Sequence, residues 1–243
     1  MQSSKIAGIG YYVPKNIYTN DDLSRFMDTN DEWIQERTGI KERRFADRLG
    51  ETTTTMGVEA AKIAIERAGI TAQDVDFIIF ATLSPDYYFP GCGVLLQREM
   101  NMKEVGALDV RNQCSGFWYA LSVADQFIKT GMYKNILIVG SEKHSFAMDF
   151  ETRSRHVSVI FGDGAGAVLF EPNTDGLGLQ DELLRSDGIG REFLKIEAGG
   201  SILPPTEETV KNKQHFVFQD GKTVFKYAVS GMADVSEKIM ERN

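Results

Sequence analysis

Apolar residues in this chain fall into two patterns, short continuous runs and stripes spaced three and four apart. Residues 5–12 (KIAGIGYY) read as a first strand, closed by Val13-Pro14. Residues 76–83 (DFIIFATL), 107–110 and 135–140 (NILIVG) are apolar, largely β-branched runs of the length of strands. Between them, residues 55–68 set Ala61, Ala64, Ile65 and Ala68 on one helical face and stop at Gly69. Residues 91–100 also read as helix. Residues 114–130 form a long helix, apolar on nearly every face and ended by Gly131. Nearer the start, a helix is expected over 20–28 with Thr19 as N-cap, and another over 30–38 stopped by Gly39. Residues 157–161 and 165–170 read as strands flanking a glycine turn. Strands alternating with helices predict an α/β fold with a mostly parallel sheet covered on both faces.

The pattern breaks near Glu171-Pro172-Asn173-Thr174-Asp175-Gly176. Beyond it lie weaker strand signals at 216–218 and 222–225, a polar loop around Pro204-Pro205-Thr206, and a helix from about 224 to 241. No strand follows that helix, although a layered fold normally brings one back. The expected division is 1–172, a complete half, and 173–243, the incomplete start of a second half.

Composition narrows the class. The 243 residues are 42% hydrophobic and 26% charged, an ordinary globular balance. The formal net charge of −8 disfavours nucleic-acid binding, which needs a basic face. Basic patches persist at Lys41–Arg44, at Arg153-Ser154-Arg155 and at Lys211-Asn212-Lys213. These suit a small anion or an acidic protein partner. Two cysteines without a CxxC spacing argue against a zinc site or a disulfide framework. No run reaches the ~18 apolar residues of a membrane span, and the N-terminus does not read as a signal peptide. A cytoplasmic location is the expectation.

Cys114 carries the most chemistry. It sits in Asn112-Gln113-Cys114-Ser115-Gly116-Phe117, where a strand ends and the long helix begins. A thiol there meets unpaired backbone N–H groups and the positive end of the helix dipole, which favour thiolate. The apolar helix behind it predicts a buried nucleophile reached through a tunnel. Cys92 reads as an inert core thiol. A Cys nucleophile usually has a His as base, but no motif marks His144, His156 or His215 for that role. Gly162-Asp163-Gly164-Ala165-Gly166 is followed by the strand-like Ala167–Phe170, not by a helix, so it is not a dinucleotide loop. It reads as a tight turn, functional if it packs beneath a reactive thiol. Trp33 and Arg37, four apart on one helix, share a face on which a planar base can be held. Asp86–Pro90 is an aromatic turn after a strand.

Taken together, Asp31-Glu32-Trp33-Ile34 with Arg37-Thr38-Gly39-Ile40, Ser84-Pro85-Asp86 with Phe89-Pro90, Cys114–Phe117 with Tyr119-Ala120-Leu121, Phe161–Ala167, and Val224-Phe225-Lys226 with Ala228-Val229 resemble β-ketoacyl-acyl-carrier-protein synthase III (KAS III) over almost the whole chain. The resemblance implies a thiolase-like layered α/β/α/β/α fold and decarboxylative condensation of an acyl-CoA with malonyl-ACP in fatty acid biosynthesis. Cys114 would be the acyl-carrying nucleophile, and no metal or organic cofactor would be required. It implies further that Trp33 stacks on the CoA adenine and Arg37 contacts a phosphate. Phe89 would reach the acyl pocket of the neighbouring subunit in a homodimer, and Gly162, Gly164 and Gly166 would form an active-site loop. A second arginine should clamp the adenine. Counting from Cys114 gives Arg153, counting back from the glycines gives Arg155, and Arg153 is preferred. The family also places a His in a His-Gln-Ala-Asn motif and an Asn in an Asn-Thr motif toward its C-terminus. Neither motif occurs in these 243 residues. The expectation is a truncated chain poor at condensation by itself. Other expectations are a non-catalytic partner subunit of a condensing enzyme, or a KAS III-like acyltransferase of secondary metabolism.

Overall fold

The computed structural model describes residues 3–243. In chain order they form β1 (Ser3–Tyr12), β2 (Asn16–Thr19), α1 (Asn20–Leu23), α2 (Asp31–Thr38), β3 (Glu42–Phe45), α3 (Thr53–Arg67), β4 (Phe77–Ala81), α4 (Cys92–Glu99) and β5 (Gly106–Val110). There follow α5 (Gly116–Lys129), β6 (Ile136–Lys143), α6 (Arg155–Ser158), β7 (Asp163–Asn173), β8 (Leu194–Ile196), α7 (Glu207–Lys211), β9 (Val217–Gln219) and α8 (Gly221–Arg242). Two compact units emerge, each built from separated segments. The first holds residues up to 16, 44–143 and 163–184; the second holds 17–43, 144–162 and 185–243.

The first unit is a five-stranded sheet in the order β1-β7-β6-β4-β5, covered by helices on both faces. Side chains alternate across a strand, and β4 shows the result. Ile78 and Phe80 join Ala60, Ala61, Ala64, Ile65 and Leu96 in one core, beneath α3 and α4. Ile79 and Ala81 join Ala120, Ala124 and Ile128 of α5 in the other. Gly8 and Gly10 of β1 face α3 so closely that a Cβ on either would lie 2.0 Å from a backbone oxygen, of Ala64 or Ala60 respectively.

The sheet is mixed rather than mostly parallel. β4 runs parallel to β5 and β6, but β7 is antiparallel to both β6 and β1. A parallel return needs a crossover of a dozen or more residues, usually a helix. The segment between β6 and β7 carries only the four-residue α6 as α-helix, and β7 comes back antiparallel. The expected strand at 157–161 is also corrected. Arg155–Ser158 is helical, and Val157 and Val159 are buried from there, so packing overrides their β-preference. β7 begins at Asp163, which makes Gly164 and Gly166 strand residues paired with Glu142 and Gly140. A strand, not a helix, follows the glycines, as the sequence required.

In the second unit, the helix expected over 20–28 is a single turn. Thr19 and Asp22 form a capping box, and the turn ends at Ser24. α2 is capped by the Asn30 side chain and closed by Gly39 at φ 70. β8 and β9 pair antiparallel. Residues 222–225, read as a possible strand, belong to α8 instead. Asp220 takes hydrogen bonds from the Thr223 N–H (3.2 Å) and hydroxyl (2.7 Å), an N-cap that starts the helix at Gly221.

Candidate active site

Cys114 follows the carboxyl end of β5, on the side where the parallel strands β4 and β6 also end. Open α/β sheets gather their ligands at that end. The turn is tight. Gln113 has φ 44, a left-handed conformation that costs a non-glycine residue about 1–2 kcal/mol. Asn112 and Ser115 brace it: Asn112 Nδ2 donates to Ser115 Oγ (3.2 Å), and that hydroxyl donates to the Asn112 carbonyl (3.1 Å). Residues 113–115 make one 3-10 turn, and α5 proper begins at Gly116. Ser115 makes no side-chain capping bond at the start of α5, and the Gly116 N–H donates to the Gln113 carbonyl, which ties the helix start to the turn.

The expected burial of this thiol is not what the fold produces, because Cys114 is exposed. The reason lies in α5. Its apolar composition hides a one-sided helix that buries Gly116, Ala120, Leu121, Ala124 and Ile128 but leaves Trp118 63% exposed. The 3-10 turn presents Cys114 outside that buried face. Gly140 of β6 seats the helix start, since a Cβ there would lie 2.9 Å from the Phe117 ring.

Sequence reasoning missed a polar brace at the ends of β4 and β6. Glu142 accepts from the Leu83 N–H (2.8 Å) and from the hydroxyls of Ser84 (2.5 Å) and Thr82 (3.2 Å). The Lys143 N–H donates in turn to Ser84 Oγ (2.8 Å). An acid beside the polar ends of two apolar runs was the available signal. Asp86 anchors the aromatic turn to the start of α3, accepting from the Thr52 hydroxyl (2.8 Å) and the Thr54 N–H (3.2 Å). Beyond it Tyr87, Tyr88 and Phe89 are all exposed, Phe89 at 82%.

Cys92 behaves as the inert thiol expected. It is fully buried at the start of α4, and burial pushes its pKa up to about 11. Asp109 of β5 holds that helix start by accepting from the N–H groups of Cys92 (2.6 Å) and Gly93 (2.9 Å). Burial raises the Asp109 carboxyl above its ordinary pKa, against those two donors. Iodoacetamide on the native protein at neutral pH should therefore alkylate Cys114 and spare Cys92. Peptide mapping by mass spectrometry checks this, and equal labelling of both would refute it. The raised Cys92 pKa also fixes a sign. The folded state holds this proton longer than the unfolded state, so stability falls as pH rises from about 9 toward about 11.

The second unit holds the base-stacking candidates. The Arg37 guanidinium lies 4.5 Å from the Trp33 ring centroid, and that of Arg155 lies 5.0 Å from it. Of the two arginines left by counting, Arg155 meets Trp33. Arg153 instead pairs with Asp149 and Glu151 and lines a separate cavity of about 220 Å³ with His156, Glu197 and Lys213. Thr29 Oγ1 and His215 Nδ1 are buried with no partner among the described residues. All three histidines belong to this unit. His156 sits in α6 with Nε2 3.1 Å from the Gln219 carbonyl, His144 packs on Phe161, and His215 packs on Phe216.

A family model described as 3-oxoacyl-[acyl-carrier-protein] synthase III matches residues 108–188, the span from β5 past β7. β-Ketoacyl-[acyl-carrier-protein] synthase III 2 of Bacteroides thetaiotaomicron is 45% identical over 98% of this chain and 70% of its own length. The chain belongs to the β-ketoacyl-acyl-carrier-protein synthase III family. The KAS III of Chlorobaculum tepidum is 46% identical over 96% of the chain and 70% of its own length. The crystal structure of 3-oxoacyl-[acyl-carrier-protein] synthase III from Aquifex aeolicus superposes with a TM-score of 0.84 at 39% identity, covering 98% of this chain and 71% of that one. The layered α/β architecture is thus the thiolase-like fold of KAS III. As a KAS III the protein is an acyltransferase, of a family that uses acyl-CoA and malonyl-ACP. No helix among the described residues is long and apolar enough to cross a membrane.

Proposed function

We propose that Cys114 is the nucleophile of a β-ketoacyl-ACP synthase III reaction in fatty acid biosynthesis. Its Sγ attacks the acyl-CoA carbonyl, an S–C bond forms, and CoA leaves as the thiol. Malonyl-ACP then loses CO2, and the resulting carbanion attacks the acyl carbon and releases Cys114. The observation that carries this reading is the braced left-handed turn at Gln113, which presents an exposed thiol between the carboxyl end of β5 and the start of α5. In the second unit, Trp33 stacks on the CoA adenine, with Arg37 at a phosphate. Arg155 serves as the clamping arginine, since Arg153 is already held by Asp149 and Glu151.

The glycines at 162, 164 and 166 keep space near the site. Residues 1–172 are one thiolase-type half and 173–243 belong to the start of the other, and the enzyme works in the cytoplasm. A homodimer is supported by the exposed aromatic turn ending at Phe89 and by β5, an edge strand with Leu108 exposed. Incubation with acetyl-CoA followed by intact-mass and peptide analysis tests the nucleophile. One acetyl group on Cys114 is expected, and an unmodified Cys114 would refute the assignment.

A further inference from the structure

The Arg155 guanidinium does not reach Trp33 unaided. Its Nη1 donates to the Asp28 carbonyl, and the Asp28 carboxylate stands 3.7 Å away. The Asp28 N–H in turn donates to Thr152 Oγ1 at 2.9 Å. Thr152 opens the 3-10 turn that runs into α6, whose first residue is Arg155. Residues 152–155 and the peptide units flanking Asp28 thus form a closed ring of contacts. One hydroxyl accepts from the backbone of residue 28, and one guanidinium donates back to it. A long arginine side chain on an exposed surface has many rotamers, and holding one of them needs such a frame.

We propose that Thr152 is a positioning residue for the adenine clamp. By accepting the Asp28 N–H, its hydroxyl keeps the Asp28 carbonyl where it takes Arg155 and so holds that guanidinium over Trp33. The inference rests on the assignment of Trp33 and Arg155 to the adenine of CoA. Thr152 need not touch the nucleotide to fix the arginine that does.

Calorimetric titration with CoA and with 4′-phosphopantetheine, which lacks the adenosine part, tests this. Thr152→Val keeps the shape and removes the acceptor. It should weaken CoA about threefold to tenfold, the range of one lost hydrogen bond, and leave phosphopantetheine unmoved. Thr152→Ser should restore CoA affinity, and in an Arg155→Ala background Thr152→Val should add nothing. Equal loss for both ligands, no loss for CoA, or an undiminished loss without Arg155 would each overturn the proposal. Trp33→Ala separates the two readings. It should weaken CoA about tenfold or more, as for a lost base-stacking platform. If CoA binding ignores Trp33, the clamp assignment fails and Thr152 falls with it. If Trp33 matters and Thr152 does not, only the positioning role is lost.

Discussion

Cys114→Ala should abolish acyl transfer, lowering the rate by about 10³-fold or more. With the sulfur gone there is no covalent carrier, and neighbouring backbone donors cannot supply a bond. The residue is exposed and sits outside both hydrophobic cores of the first unit. Alanine should therefore leave the thermal midpoint within a degree or two of the parent, since surface substitutions usually stay within about 0.5 kcal/mol. Loss of activity with unchanged stability is what a nucleophile predicts. Acetyl transfer from radiolabelled acetyl-CoA measures the first, and a melting curve the second. Label retained in the alanine variant would move the nucleophile elsewhere.

Gly8→Ala and Gly10→Ala should each strongly destabilise the fold. The added methyl would lie 2.0 Å from the carbonyl oxygen of Ala64 or Ala60, and in both cases the obstacle is helix backbone rather than a movable side chain. Relief requires α3 to lift from the sheet, which opens the core made by Ala60, Ala61, Ala64 and Ile65. Overpacking costs about 1–3 kcal/mol and occasionally more, and a backbone clash belongs at the upper end. Gly231→Ala is the control. Gly231 lies within α8 with open space around its missing Cβ. Alanine there should stabilise by up to about 1 kcal/mol through helix propensity. Urea midpoints for the three variants decide the matter. A Gly10→Ala midpoint equal to the parent would mean that β1 and α3 are not so tightly joined.

How far the fold was legible follows from which signals are local. Asn30, Gly39, Gly69 and Gly131 mark helix ends by chemistry carried on one or two residues, and those ends fall within a few residues of where they were expected. The run at 76–83 contains β4, and the run at 135–140 contains the first five residues of β6, because a continuous apolar run between helices has few alternatives. Strand direction is not local. Nothing within residues 163–173 states that β7 must run against β6. The valines at 157 and 159 have strand preference but pack from a helix and the turn after it.

At the site, the position of Cys114 was legible and its exposure was not. Apolar composition around residues 117–128 does not say which side of the helix is covered. Likewise, residue counting could not choose between Arg153 and Arg155. Only the fold shows that Arg155 is the one over Trp33, where it also contacts Asp28, more than a hundred residues away in sequence.

The pairing of β1 with β7 aligns Ser3 with Asn173 and Tyr12 with Ala165. β1 thus neighbours the strand of its sheet that comes latest in chain order. Until β7 has been synthesised, β1 has no ladder partner in this sheet, and the edge of β6 that β7 will cover stands open. Contacts of such long sequence separation slow folding and leave apolar edges available to other chains. During synthesis, α3 is the only described element of that sheet's first core available early to shelter β1, and the two glycines that bring them together do so before the sheet can close.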